Sequence, residues 1–433
     1  MKKTICTVLA AFTAVTLFSG CQTEKGVTKG EKQEILLGLP GGDSVTSWEI
    51  VENFKAIYSD KYDIKTDESS WADFTQKIKL QFVAKNDVVP VFFTDSMQAM
   101  TFGAQGAVLD LKDWVDKELD AEAYNKALFA LSDEEGHLWG VPHALNSVAM
   151  LINKDILAER GVEFPNEDWT WEQMLDMAEK LTFDRDGDGK TDVYGIFYAS
   201  NITQGWLPFM AAVGVSPYKN NFRDSNIDDP KVKEAMEKFA APIRAGHLMN
   251  AAELSAAGKY QAAFADGKIA MGLIQASNIT QINKFNPDLN YDAQIMPIGW
   301  NGERKCIYVP NVWQVYAGVS EGEKEACLEW LKFYLNEESQ TIIAEESTGG
   351  FPIMKSALDH ISTAGGKPEH IDSFYKGIDE YGMTILESPA TSVTVGMVDN
   401  MAGKIRAGED IDEWINTTHT DLQRELDYFY ENQ

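Results

Sequence analysis

The chain has 433 residues, 44% hydrophobic and 24% charged, with 67 acidic against 38 basic residues and a formal net charge of −29. That length is too great for one ordinary core and predicts two domains or lobes. The charge makes nucleic acid and anionic lipid surfaces poor partners, because both repel an acidic protein.

The first residues, Met1-Lys2-Lys3, lead into an uncharged apolar stretch from Ile5 to Phe18 that ends on Ser19-Gly20-Cys21. Charge, apolar run and small residues in that order predict a secretory signal over 1–20, and the run is too short to span a bilayer. Cleavage before Cys21 frees an amine on a residue whose thiol can carry a diacylglyceryl group. The segment resembles the bacterial lipobox, with Phe18 where that motif prefers Leu, so a plain secreted form stays as an alternative. Removing Lys2 and Lys3 with the signal takes −29 to −31. Residues 21–33 are small and polar without a hydrophobic period, which predicts a flexible tether.

Ile35 to Leu39 reads as a buried strand, and Trp48, Val51, Phe54 and Ile57 or Tyr58 then fall at helical spacing. The alternation continues with a strand at 62–66, a helix at 71–83, an apolar strand at 88–93 and a short helix at 97–102. It predicts an α/β fold with a mainly parallel sheet flanked by helices. A second block starts near Asn146 with a strand at 148–152, and Thr170 with Gln173 forms a capping box ahead of a helix. Further helices are expected at 231–243, 252–264, 323–335, 338–346 and 410–430, with strands at 269–274 and around 309–315.

Little in the sequence points to catalysis. Metalloprotease spacing, a Gly-x-Ser-x-Gly elbow and a dinucleotide glycine fingerprint are absent, and the six histidines form no ligand pair. Gly189-Lys190-Thr191 is not a phosphate loop, since Asp184 stands where the first glycine must be. Carboxylate pairs for glycoside hydrolysis stay open, because a sequence does not reveal their separation. The stretch Asp184, Asp186, Asp188, Lys190 and Asp192 fits a calcium loop better: alternating carboxylates turn inward around a hard cation and Lys190 offers a carbonyl. Its twelfth place is Gly195 instead of the usual acid, so a structural calcium and a solvated acidic turn are both open readings. No other cofactor is expected.

Eleven tryptophans and fifteen tyrosines suit stacking on sugar faces. Trp71, Trp114, Trp171 and Trp330 sit on apolar helical faces and read as core. Trp48, Trp206 and Trp313 lie beside polar loops or strand ends and are open to a pocket or a core role. Cys327 shares a helical face with Trp330, Leu331 and Tyr334 and reads as a small buried hydrophobe, with a bridge to Cys306 as the alternative.

Four stretches carry a resemblance: Gly136-His137-Leu138-Trp139-Gly140-Val141-Pro142, then Leu151-Ile152-Asn153-Lys154-Asp155, then Trp169-Thr170-Trp171-Glu172, then Phe264 to Gly272 with Asp266-Gly267-Lys268 inside it. In this order the chain resembles the extracellular solute-binding proteins of bacterial ABC importers, in the carbohydrate-binding branch that includes maltose-binding protein. The resemblance implies a two-lobed periplasmic-binding-protein-like fold of type II, each lobe a mixed, mainly parallel sheet flanked by helices. One lobe would hold 34–144 plus 298–336 and the other 145–293 plus 337–433, with hinges near 145, 294–297 and 336. It further implies a monomer that is not an enzyme, that binds a carbohydrate between the lobes and that hands it to ABC permease subunits outside the cytoplasm, touching the membrane by its lipid anchor alone.

Carried over residue by residue, Asp43 and Trp48 follow the first strand, Asp95 and Ser96 end the third, and Asn146 stands at the first hinge. Asn201 and Trp206 occupy a cleft-lining loop of the second lobe, and Trp313 lies beside Asn311. After the Ala270-Met271-Gly272 strand, relatives commonly place a stacking Trp, whereas this chain has Gln275 and Ser277 there, Ser277 at the Trp position. The departure leaves a non-sugar solute as one alternative ligand, and an exported lipid-anchored glycan hydrolase as a further reading.

Overall fold

The structure is a computed structural model that describes residues 32–39, 47–346, 350–361, 366–385 and 388–432. Cys21 and Asp43 lie outside them, as does the side chain of Trp71. The first half alternates as expected: β1 (Gln33–Gly38), α1 (Trp48–Tyr58), β2 (Tyr62–Asp67), α2 (Trp71–Ala84), β3 (Val91–Thr94), α3 (Ser96–Ala104) and α4 (Lys112–Glu118). Ser47, Ser70 and Asp95 each accept a hydrogen bond from a first-turn amide of the helix that follows, which is why those helices start where they do.

The middle of the chain gives β4 (Val141–Asn153), α5 (Lys154–Arg160), α6 (Trp171–Lys180), β5 (Tyr194–Phe197), α7 (Leu207–Val213), β6 (Tyr218–Lys219), β7 (Asp224–Ser225), α8 (Pro230–Arg244), α9 (Ala251–Ala256), α10 (Tyr260–Ala265), β8 (Ile269–Gln275), α11 (Ile279–Phe285) and β9 (Tyr291–Gln294). The single helix expected over 252–264 is two, because Gly258 takes φ +89° between α9 and α10 and ends the first. The remainder gives β10 (Cys306–Val315), α12 (Glu321–Tyr334), α13 (Glu337–Glu346), α14 (Ile378–Tyr381), β11 (Gly382–Thr384), α15 (Thr391–Arg406) and α16 (Ile411–Glu431).

The strands run in the order β2-β1-β3-β10-β4-β8-β5, with β11 beside β10 and β9 beside β4. Pairings on the outer side are parallel: β1 with β2 and β3, β10 with β11, β5 with β8. The two long strands at the centre run antiparallel to each other and to β3, β8 and β9. The result is a mixed sheet with helices on its faces, the two-lobed α/β fold expected from the sequence.

β4 is the element both halves share. All thirteen of its residues are buried; Val141–Ser147 pair with β10, and Val148–Asn153 pair with β8 or β9. The handover falls between Ser147 and Val148. The chain stays with the second half past 294–297, since Ile298 bridges Thr170 and the Asn301 amide donates to the Ala212 carbonyl. It returns only as β10 begins. Beyond 336, α13 packs on α1 and α12, and Phe351 bridges Leu145.

Both described cysteines are free and buried, so the bridge alternative is corrected. Burial pushes the Cys306 thiol up to about 12 and raises the Cys327 thiol as well.

Candidate functional site

In open α/β sheets, ligands sit beyond the carboxyl ends of parallel strands, where the next loops diverge. β5 and β8 are such a pair, ending at Phe197 and Gln275. Beyond the carboxyl end of β5 lies a cavity of about 970 Å³ lined, entirely from the second half, by Phe197, residues 199–201 and Gln204, the ends of α8 and α15, and α9 with the start of α10. Its size is within the range of small-molecule sites, about 300–1,000 Å³.

The cavity's aromatic wall is the half-buried Tyr260 ring, backed by the buried Phe197 ring with centroids 4.5 Å apart and planes 14° apart. Asn201, exposed on the rim, caps the irregular turn Ile202–Trp206 by accepting the Gln204 amide at 2.9 Å. Gln204 Nε2 donates to the Leu273 carbonyl at 2.7 Å, fixing that loop to β8. Gln261 Nε2 donates to Asn278 Oδ1 at 2.7 Å, next to Ser277, whose own amide donates to Asn146 Oδ1 at 3.2 Å. A line of hydrogen bonds therefore runs from the cavity wall to β4.

Of the residues read from the sequence, Asn201 lines this cavity; Asn146 and Ser277 are joined to its wall only through the Gln261–Asn278 bond, and Gln275 is half-buried and Ser277 exposed outside it. Asp95 and Ser96 lie on the other half, at the start of α3. Asp95 accepts the Gln98 amide at 2.9 Å, and burial raises its carboxyl pKa. Ser96 is fully buried, with no hydrogen-bond partner for its hydroxyl among the described residues. The two halves meet where Thr101 Oγ1 of α3 lies 2.7 Å from Ser392 Oγ of α15. Trp48 is half-buried at the start of α1.

Two aromatic candidates are corrected to core. Trp313 is fully buried; β10 is covered on both faces, and the indole packs at 5.3 Å against both Trp330 and Tyr334 and at 5.9 Å against Phe93. Trp206 is likewise fully buried and donates its indole N–H to Asp399 Oδ1 at 2.7 Å. Neither presents a face to a ligand. The aromatic that lines the cavity with part of its surface exposed is Tyr260, which sequence reading missed because an aromatic in a helical pattern reads as core. Arg406 was missed for a similar reason: it falls in a helix that the sequence does not announce.

The acidic loop has three carboxylates, Asp184, Asp186 and Asp188, whose oxygens lie within 4.8 Å of one another and could hold a cation. Each also accepts backbone amides of the loop, Asp184 from Gly187 and Gly189, and these amides lower the Asp184 pKa. Asp192 is turned to the amides of Arg185 and Asp186. The missing twelfth acid has a steric reason: a Cβ at Gly195 would sit 1.8 Å from the Ala178 carbonyl oxygen of α6. A calcium titration followed by thermal denaturation tests the calcium reading. A rise in Tm that Asp184→Asn removes supports it, and a Tm indifferent to calcium ends it.

A second potential ligand set, Asp292, Glu369 and His370, reads as a pin. Buried Asp292 accepts the His370 amide at 2.8 Å and lies 2.7 Å from its Nδ1, which raises the imidazole pKa and ties the segment after Pro368 to β9.

Several solved structures share this fold along almost the whole chain. An ABC substrate-binding protein of Listeria monocytogenes, solved with cycloalternan, is 18% identical with a TM-score of 0.78, covering 92% of this chain and 99% of that one. The sugar-binding protein MalE of Xanthomonas citri is 15% identical with a TM-score of 0.76, over 93% and 100% of the two chains. The GacH receptor of Streptomyces glaucescens, solved unliganded and with acarbose, is 17% identical with a TM-score of 0.73, over 92% and 99%. The family model for bacterial extracellular solute-binding proteins matches residues 49–368, and with the fold and the cavity at the strand ends it places the chain in that family.

Proposed function

We propose that the protein is the solute-binding component of an ABC importer, that its ligand is a carbohydrate, and that a lipid on Cys21 holds it at the outer face of the membrane. The observation that carries the ligand class is the cavity beyond β5. Tyr260, backed by the buried Phe197 ring, gives an aromatic face, and Asn201, Gln204 and Gln261 ring it with amides. Sugars need both: C–H faces on aromatic rings and hydroxyls paired with planar polar groups. Structural relatives solved with cycloalternan, acarbose and maltotriose support the same class.

Binding and release, without turnover, is the supported chemistry. Hydrolysis of a glycoside needs two carboxyl groups flanking the bond, and among the described residues no Asp or Glu lines this cavity. The same absence argues against a polyamine. The hydrogen bonds from Gln261 through Asn278 and Ser277 to Asn146 offer a route by which an occupied cavity favours one arrangement of the halves, and it does so only as far as the ligand binds that arrangement better.

The test is a thermal-shift and calorimetric screen of the purified protein against oligosaccharides, amines and inorganic anions. A cognate sugar at one hundred times its Kd is expected to stabilise the fold by about 2.7 kcal/mol, and Tyr260→Leu to weaken its binding by at least about tenfold. Stabilisation by amines alone, or unchanged sugar binding in Tyr260→Leu, sinks the reading. Anchoring is read separately: Cys21→Ala is expected to move the protein from the detergent phase to the aqueous phase on partition, with ligand binding retained.

A further inference from the structure

We infer that the ligand is an anionic sugar, one bearing a uronate carboxylate or a phosphate ester, with Arg406 and Lys259 as its charge partners. The inference rests on the carbohydrate reading above and narrows it.

The charge of the cavity is the reverse of the charge of the chain. At the chain's average of 67 acidic residues in 433, twenty lining residues would carry about three; these twenty carry none, and their two charged members are Arg406 and Lys259. The nearest acid of α9, Glu253, is turned away from the cavity, because its carboxylate accepts the Asn250 amide at 2.8 Å as the return half of a capping box. Such an inversion in a protein at −29 makes the cavity the place where an anion meets the least repulsion and two cations.

Arg406 is held for this role. It is half-buried on the last turn of α15, its guanidinium carbon 6.0 Å from the Phe197 ring centroid. Nη1 donates to the Tyr198 carbonyl and Nη2 to the Met249 carbonyl at 3.3 Å. Both partners are neutral, so the charge is positioned without being cancelled. A guanidinium has five N–H donors in a fixed fork, and two bonds of this kind leave donors for an anion. Lys259, exposed on the rim, adds a mobile second cation. Gln261 completes the site: it is 7% exposed, and its Oε1 has no donor among the described residues. An unanswered buried acceptor is costly, and a sugar hydroxyl would supply the donor.

The experiment measures affinity by calorimetry for glucuronate- and galacturonate-containing di- and trisaccharides, for their neutral methyl esters, for hexose phosphates and for neutral oligosaccharides. At least one anionic class is expected to bind about tenfold or more tightly than its uncharged counterpart. Arg406→Gln should abolish that preference and Lys259→Gln should reduce the affinity about two- to fivefold, the effect of an exposed charge. Arg406 also ties α15 to Tyr198, so Lys259→Glu is the second variant: it should weaken the acid and leave the ester unchanged. Equal binding of acid and ester, or tight binding of neutral sugars alone, overturns the anionic assignment and leaves the carbohydrate reading standing. No binding by any sugar, charged or neutral, overturns both.

Discussion

Trp206→Ala is expected to destabilise the protein by roughly 3–5 kcal/mol, the cost of emptying a fully buried aromatic site. The indole does more than fill space. It donates to Asp399, a half-buried carboxylate of α15 whose pKa burial raises and the Trp206 and Ile202 N–H groups lower. Trp206→Phe keeps most of the volume and removes the donor, so it isolates that bond and should cost about 1–3 kcal/mol near neutral pH. The sign of its pH dependence follows from the raised carboxyl. A buried acid that ionises less readily when folded opposes folding above its unfolded pKa, and that opposition fades as pH falls through the folded pKa. The Trp206→Phe penalty should therefore shrink as pH falls into the acid range, and Trp206→Phe with Asp399→Leu should recover stability at neutral pH. Urea denaturation of the four proteins at two pH values measures this. A penalty that is the same at both values would show that the bond to Asp399 carries none of it.

Two glycine substitutions are expected to act in opposite directions. Gly195→Ala puts a methyl 1.8 Å from the Ala178 carbonyl oxygen and 2.5 Å from its carbonyl carbon, both backbone atoms of α6. No rotamer relieves that contact, so β5 and α6 must separate, at a cost at or above the usual overpacking range of about 1–3 kcal/mol. Thr182 would be strained in the same place, since its hydroxyl donates to the Ala178 carbonyl and accepts the Gly195 amide. Gly396→Ala lies within α15 with nothing within 4 Å of the added methyl. There the gain is conformational, about 0.4–1 kcal/mol, because alanine has less freedom to lose on folding. Denaturant midpoints of the two variants should fall on opposite sides of the parent. A Gly195→Ala protein as stable as the parent would mean that β5 does not lie on α6 as described.

What the sequence made legible was periodicity. β1, β2, β8 and α12 fall within a few residues of where their apolar spacing puts them, because burial on one face or both writes a period into the chain. α15 left no such trace. Thr391-Ser-Val-Thr-Val-Gly-Met397 is rich in β-branched residues and broken by glycine, a composition that disfavours a helix. Tertiary packing overrides it: Thr391, Thr394, Val398, Met401, Ala402 and Ile405 are buried at helical spacing. The site suffered from the same blindness. Asn201 was readable as a polar residue in a loop after a strand, but Arg406 sits at the end of the unannounced helix. The tryptophans misled because a polar neighbour in sequence, Gln204 for Trp206 and Asn311 for Trp313, says nothing about where a side chain points once the turn or strand that carries it is packed.

β10 lies between β3 and β4, yet it enters the chain more than 150 residues after β4 ends. Until it arrives, β3 and the first half of β4 each present a row of unpaired backbone groups on an entirely buried type of strand. Such edges invite pairing with other chains, and contacts this distant in sequence form slowly. The order of synthesis thus opposes the order of assembly. A fragment ending before Cys306 would carry most of the second half's residues and an open seam through the centre of its sheet, so the last third of the chain acts as the closure that lets the first two thirds remain separate from their neighbours.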